Sequence, residues 1–357
     1  MDPAEVRRSC RRSLSDSPRH NMRERLLALA ARPEAGSADV DVYGQGGPVA
    51  EVERRVAGLL GKPAARWVST GVIAQQAALR TWTDRTGRPV VALHPLSHID
   101  RDEGSAYERL HGLRPVRVGD LTPYTVEDLE RAAETPGVVT VELPLRFAGL
   151  LLPAWDDLVA ISRWCRERRI PLHFDGARLW ESAPHYRRPL TEIAALADSV
   201  YVSFYKSLGG LGGAALTGDP EFLSECAPWL SRHGAQPFHS YPYALAALAG
   251  LDTTLPKLPG FTQRAITLAA AMSEIDGVYV TPRPPHVNAF HLYLPGPPDV
   301  LSERHLTCAA THGDWLFSHF WPTSAQGQSV VEIRVTESTA AFTDAEVVQR
   351  IASILGR

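Results

Sequence analysis

Two residues of opposite charge sit where two strand-like runs end. Lys206 stands in Ser203-Phe204-Tyr205-Lys206-Ser207-Leu208-Gly209-Gly210, beside an apolar run at 199–204. Asp175 follows a second such run, at 170–174, and lies 31 positions before the lysine. A lysine at a strand end, entering a glycine-rich turn, presents an amine to a carbonyl. An acid at a neighbouring strand end faces a protonated pyridine nitrogen. Those two groups are what a protein needs to hold pyridoxal 5′-phosphate (PLP) as a Schiff base. Taken singly, each has a plainer reading: a surface lysine beside a glycine turn, and an aspartate that caps the turn before Gly176. Their pairing favours the cofactor.

The elements around them alternate. Apolar spacing predicts helices at 21–31, 49–60, 74–85, 127–133 and 155–169. Short apolar runs predict strands at 90–93, 116–118, 138–143, 170–174 and 199–204. This order implies an α/β fold, with a mostly parallel sheet covered by helices on both faces. Ligands in such sheets sit beyond the carboxyl ends of the strands, where Asp175 and Lys206 fall. A Pro/Gly-rich stretch at 255–260 reads as a hinge into a small α+β C-terminal domain. That domain has strands at 277–280, 287–294 and 329–335 and a closing helix at 344–355. The expected division is 1–40 as an N-terminal arm or helix joining the small domain, 41–254 as the large PLP-binding domain, and 255–357 as the small domain.

Composition narrows the classes. With 44 % apolar residues among 357, a substantial core can form. A net charge of −3 gives no reason to expect nucleic acid or an anionic membrane as partner. The four cysteines, Cys10, Cys165, Cys226 and Cys308, are far apart and lack metal-ligand spacing, so reduced thiols and no metal are expected. No apolar run reaches transmembrane length, and the first 30 residues lack the apolar block of a secretion signal. These features imply a cytoplasmic location.

Further motifs carry a resemblance. His173-Phe174-Asp175-Gly176-Ala177-Arg178-Leu179-Trp180 resembles the H-x-D-G-A-R-L-[FW] motif of the threonine aldolase and β-eliminating lyase family. The run 203–210 is similar to that family's lysine segment. His94-Pro95-x-x-His98 resembles its cofactor-stacking histidine segment, and Asp41-Val42-Tyr43-Gly44 its D-V-Y-G turn. Thr70-Gly71-Val72-Ile73-Ala74-Gln75-Gln76 looks like its phosphate loop. The motifs keep their order from about residue 40 to 335.

The resemblance implies a fold-type-I PLP enzyme, a homodimer or homotetramer, that acts on a small amino acid. Lys206 would carry the cofactor and Asp175 would hold its ring nitrogen. His98 would stack on the ring, and either His98 or a bound water would act as base. Arg178 would bind the substrate carboxylate or the cofactor phosphate. Arg334, in Glu332-Ile333-Arg334-Val335, is similar in position to a small-domain carboxylate-binding arginine. Thr70, Gly71 and Val72 precede a helix whose N-terminal N–H groups suit a phosphate, and Ser203 would add a hydroxyl. Tyr43 would reach an active site across a subunit interface or be buried at the dimer contact. His94 and His173 read as structural. Arg232-His233-Gly234 is also family-like, without an assigned role.

The departures from the family pattern are specific. Val72 replaces a threonine of the phosphate loop. The N-terminal R-S-D-T-x-T survives only as Arg12-Ser13-Leu14-Ser15-Asp16-Ser17. The E-N-x-H-N segment reads Glu142-Leu143-Pro144-Leu145-Arg146, so Leu145 stands where a histidine would handle the substrate hydroxyl, and Asp102 stands where the branch often has histidine. The implied reaction is retro-aldol cleavage of a threonine-like β-hydroxy-α-amino acid to glycine and an aldehyde. β-Elimination, racemisation or transamination of another amino acid remains open, as does a PLP-fold protein that binds without turnover. The identity of the substrate side chain is also open.

Overall fold

Seven strands between residues 64 and 218 form the central sheet of the computed structural model, which describes residues 2–15, 21–37 and 39–357. In chain order they are β1 (Ala64–Val68), β2 (Val90–Leu93), β3 (Arg114–Arg117), β4 (Val138–Glu142), β5 (Leu172–Gly176), β6 (Ser199–Ser203) and β7 (Ala214–Gly218). Their spatial order is β1-β7-β6-β5-β4-β2-β3. β7 runs antiparallel to both neighbours, and the remaining pairs are parallel. β4, β5 and β6 are buried along their whole length. That burial explains their largely apolar middles, since both faces are covered.

The expected strands at 90–93, 138–143, 170–174 and 199–204 therefore appear within two residues of their predicted ends. β1 and β7 were not legible as strands. Ala64-Ala65-Arg66 and Ala214-Ala215 carry little β-branched character, and the pairing of each with its neighbours decides the conformation. Helix Gly71–Thr86 follows β1 and packs on helix Pro220–Arg232. Helix Trp155–Arg168 buries Leu158, Ile161, Trp164 and Cys165, and helix Gly47–Leu60 ends on a left-handed Gly61.

The chain divides into two compact units, Met22–Pro256 and Met1–Asn21 with Lys257–Arg357. The stretch at 255–260 holds a short turn, Leu255–Lys257, leading into helix Leu258–Met272. Proline in a first helical turn costs nothing, because those N–H groups have no intrahelical partner.

The smaller unit holds an antiparallel sheet of β8 (Tyr279–Thr281), β9 (Ala289–Pro295), β10 (Trp321–Pro322) and β11 (Gln328–Arg334), ordered β10-β11-β9-β8. Its core joins Phe290, Leu292, Val331 and Ile333 to Leu268, Met272, Val347 and Ile351 from the helices. The N-terminal segment is more regular than its composition suggests. Helix Pro3–Ser9 precedes a short strand, Arg12–Ser13, that pairs in parallel with Asp314–Trp315. Of the segment Arg12 to Ser17, Asp16 and Ser17 lie outside the described residues. The four cysteines are buried free thiols. Among the described residues no helix is long and apolar enough to cross a membrane.

Candidate active site

β1, β2, β4, β5 and β6 all deliver their carboxyl ends to one edge of the sheet. There the turn after β6 carries Lys206. The turn is held from both sides: Phe204 stacks on Trp67 with ring centroids 5.5 Å apart, and Gly210 N–H donates to the Phe204 carbonyl at 2.8 Å. Gly213 has φ +86°, and a Cβ there would lie 2.0 Å from the Trp67 ring, so no larger residue fits. Ser207 donates to the Glu181 carboxylate. Burial pushes the Lys206 amine below its ordinary value and Arg178 pushes the same way, while Asp175 and Glu142 oppose.

Asp175 lies in register with Tyr201 on β6 and with Glu142 on β4. It is buried, and its Oδ1 accepts the Ala177 N–H at 3.2 Å. His173, two residues earlier, shares its face of the sheet. That imidazole is tied to Gln75 at 2.6 Å and to Ser199 at 2.7 Å, and burial pushes it down to about 3. It is therefore a neutral packing element, in keeping with its structural reading. His94 is likewise held, by the Thr122 carbonyl at 2.8 Å and the Leu96 N–H at 3.0 Å.

His98 opens the short helix His98–Arg101 beyond β2. Its Nδ1 meets Glu103 Oε1 at 3.0 Å, and Gln76 Nε2 donates to the other oxygen of that carboxylate at 2.9 Å. The bond to Glu103 raises His98 above its ordinary value against the effect of burial. Burial in turn pushes Glu103 up, despite the bonds from His98 and Gln76. With Nδ1 committed, Nε2 is the nitrogen left to meet a ligand.

Thr70 caps helix Gly71–Thr86, its Oγ1 accepting the Ile73 N–H at 3.4 Å. A Cβ at Gly71 would lie 1.9 Å from the Tyr201 hydroxyl, so glycine lets the helix start approach β6. Val72 follows with its side chain 37 % exposed. Arg178 is buried at the entry to the turn Leu179–Glu181.

Lys206, Asp175, His98, Thr70, Gly71, Val72 and Arg178 all belong to the larger unit, on or just beyond these strand ends. Ser203 is redirected. It is fully buried and its hydroxyl donates to the Ala177 carbonyl at 2.7 Å, so it braces the Asp175 turn rather than offering a donor to a phosphate. Tyr43 is exposed, its backbone in the left-handed region and its ring edge-on to Phe238 at 5.2 Å. Arg334 ends β11 in the smaller unit, where its backbone N–H meets Ser15 Oγ at 3.4 Å.

The sequence reading assigned no role to Glu103 or Glu142. A glutamate five residues after a histidine at a strand end was the available signal for the first. For the second it was a carboxylate ending a strand of valines and one threonine.

The donors and acceptors present suit PLP. The edge supplies an amine depressed by burial, a buried carboxylate on the adjacent strand, an imidazole held by one nitrogen, and a capped helix start closed down by glycine.

Residues 14–295 match the β-eliminating lyase family. A crystal structure from Listeria monocytogenes, provisionally named an L-allo-threonine aldolase, is 31 % identical with a TM-score of 0.92. That likeness covers 99 % of this chain and 98 % of that one. A low-specificity L-threonine aldolase of Saccharomyces cerevisiae is 27 % identical over 63 % of this chain, and an alanine racemase of Cochliobolus carbonum 29 % over 56 %. The chain spans 59 % of the yeast relative's length and 52 % of the racemase's.

Proposed function

The chain belongs to the β-eliminating lyase family, and on that premise we propose that it is a PLP-dependent carbon–carbon lyase. The proposed reaction cleaves a threonine-like β-hydroxy-α-amino acid to glycine and an aldehyde. The family's cofactor is PLP, whose ring, once bound, takes up the electron pair released when a bond to Cα breaks. Lys206 would be the attachment amine, Asp175 would hold the ring nitrogen, and His98 would stack on the ring. The N–H groups at Thr70, Gly71 and Val72 would hold the phosphate.

Arg178 fixes the substrate carboxylate with two parallel donors. Arg334 offers the same chemistry from the smaller unit. His98 Nε2 accepts the β-hydroxyl proton, and Glu103 steadies the resulting imidazolium through Nδ1. Lys206 returns a proton to Cα. The larger unit, Met22–Pro256, is the proposed cofactor-binding domain, and Lys257–Arg357 with the arm Met1–Asn21 the small domain. The exposed Tyr43 and Phe238 pair suits a subunit contact, so a homodimer or homotetramer is proposed, with Tyr43 at a neighbour's site. Four free, buried thiols suit a cytoplasmic location.

The observation that carries this reading is the half-buried Lys206 amine beyond β6, depressed by desolvation and answered electrostatically by Asp175 from the neighbouring strand. The experiment is to offer PLP-loaded protein β-hydroxy-α-amino acids one at a time and identify the products. Glycine with an aldehyde supports the proposal. Ammonia with a keto acid replaces it with β-elimination. Inverted substrate alone replaces it with racemisation, a reading that gains support from the racemase relative and from the buried Leu145 in the histidine position.

A further inference from the structure

Glu142 is the last residue of β4 and pairs in register with Asp175. Its two oxygens go to two different loops. Oε2 accepts the backbone N–H of His98 at 2.7 Å, and Oε1 accepts the backbone N–H of Arg146 at 3.1 Å. Both donors are the first residue of a short helical turn, His98–Arg101 in one case and Arg146–Ala148 in the other. The first N–H groups of such turns have no partner within the turn and need an outside acceptor. The ordinary source is the side chain at the N-cap position. Here neither cap residue supplies it: Ser97 makes no capping bond, although its hydroxyl is buried, and Leu145 has no acceptor to give.

We infer that Glu142 is a positioning residue: one buried carboxylate that caps two loop turns at once and so sets the placement of the His98 ring and of Arg146 beside Lys206. The arrangement follows from the strand. A residue at the carboxyl end of a central strand lies between the loops of its neighbours, and a carboxylate has two oxygens that can each accept a bond. Arg146 is placed by this cap where its charge acts on the Lys206 amine, and its Nη1 lies 3.9 Å from Asp102, which follows the His98 turn. The two loops therefore share a second, weaker tie across the same edge. Replacing Glu142 by Gln leaves one acceptor oxygen and turns an N–H₂ toward a second N–H, so only one cap survives. Replacing it by Ala removes both.

The consequence for the cofactor rests on the reading of His98 given above; the capping itself does not. The test compares the wild type with Glu142→Gln and Glu142→Ala at one pH, following hydrogen exchange at the amides of 98 and 146. Amides 139–141 of β4 report whether the sheet is intact. The expected result is about tenfold faster exchange at one of the two amides in the Gln variant, consistent with loss of a cap, with 139–141 unchanged. In the Ala variant both amides accelerate. Loaded with PLP, both variants lose part of the visible circular dichroism of the bound ring, a signal that a change in packing remote from the cofactor does not move. Full protection of both amides in the Gln variant overturns the inference, whether or not the Ala variant folds. So does acceleration that is equal at 98, 146 and 139–141. If the wild type shows no cofactor band, the PLP reading fails and the exchange result still decides the capping.

Discussion

The two units bury carboxylates to opposite effect. In the smaller unit Asp314, with its side chain 2 % exposed, meets Arg12 at 2.8 Å and Arg350 at 3.0 Å. Burial alone would raise its carboxyl, but the hydrogen bonds from both guanidinium groups prevail and hold it below its ordinary value. In the larger unit Glu103 and Glu142 are buried beside His98 and Asp175, and each is pushed up, Glu142 to about 7. The cause in both cases is burial first, with Asp175 adding repulsion. A buried acid with two cations is a structural clamp. Several buried acids facing one half-buried amine, on which Arg178 and Arg146 also act, form a site of interacting charges rather than a clamp.

The largest effect expected from this contrast is at the amine. Lys206→Ala should lower turnover by about 10⁴-fold, the upper range for a group that transfers a proton, with the measurement made on PLP-loaded protein. Thermal stability of the cofactor-free protein should not fall, because the native state currently holds a lysine whose charge is disfavoured by burial. A variant that loses activity only because it unfolds would erase the distinction between the two regions.

Asp314→Asn should do the reverse, leaving the chemistry of Lys206 intact and costing about 3 kcal/mol of stability in the smaller unit. Removing one partner of a buried ion pair leaves the others buried without compensation. The pH dependence has a definite sign. A carboxyl depressed in the folded state stabilises above its unfolded value near 3.9 and loses that contribution as pH falls through the folded value. Denaturation curves at pH 7 and pH 3 should therefore differ less for the variant than for the wild type. An unchanged difference would mean that Asp314 is not the clamp.

Glu142 should show the opposite sign in the cofactor-free protein. Its folded-state value, about 7, is raised. The group therefore contributes stability that is fully present below the unfolded value near 4.3 and is lost as pH rises through 7. Glu142→Gln should flatten the melting-temperature profile between pH 5 and 8, by about 2 kcal/mol. A profile as steep in the variant as in the wild type would assign the loss to another group.

How much of this the sequence disclosed follows from the range of each interaction. Strands β4, β5 and β6 were legible because burial on both faces writes a short, largely apolar run. Lys206 and Asp175 were legible because chemistry restricts their types and the strand ends fix their places. Ser203 was misread because its partner, the Ala177 carbonyl, is 26 residues away and backbone acceptors leave no mark in a sequence. Gln76 lies on helix Gly71–Thr86 while His98 and Glu103 share the segment after β2, so the pair is local but only folding brings Gln76 to it. Glu142 was hidden for a related reason: its partners are backbone N–H groups, which any residue supplies. β1 and β7 are strands by virtue of their neighbours and not of their own propensity.

The smallest effect concerns the one hydroxyl that the phosphate loop lacks. Thr70 already caps its helix by accepting the Ile73 N–H at 3.4 Å, but a hydroxyl that accepts one bond still has its proton to donate. Thr70 can therefore stand in for a missing neighbour without giving up the cap. Val72, one residue beyond Gly71 and 37 % exposed, offers no such donor. Val72→Thr restores one, and should tighten PLP binding about fivefold, which corresponds to a net hydrogen bond of about 1 kcal/mol. Fluorescence titration of the cofactor-free protein measures it. Weaker binding would place the phosphate away from this side chain and leave the backbone N–H groups to hold it. An unchanged constant would mean that Thr70 already saturates the oxygen concerned. In that case Thr70→Val, rather than any change at Val72, becomes the informative substitution, because it removes the hydroxyl while Thr70→Ser keeps it.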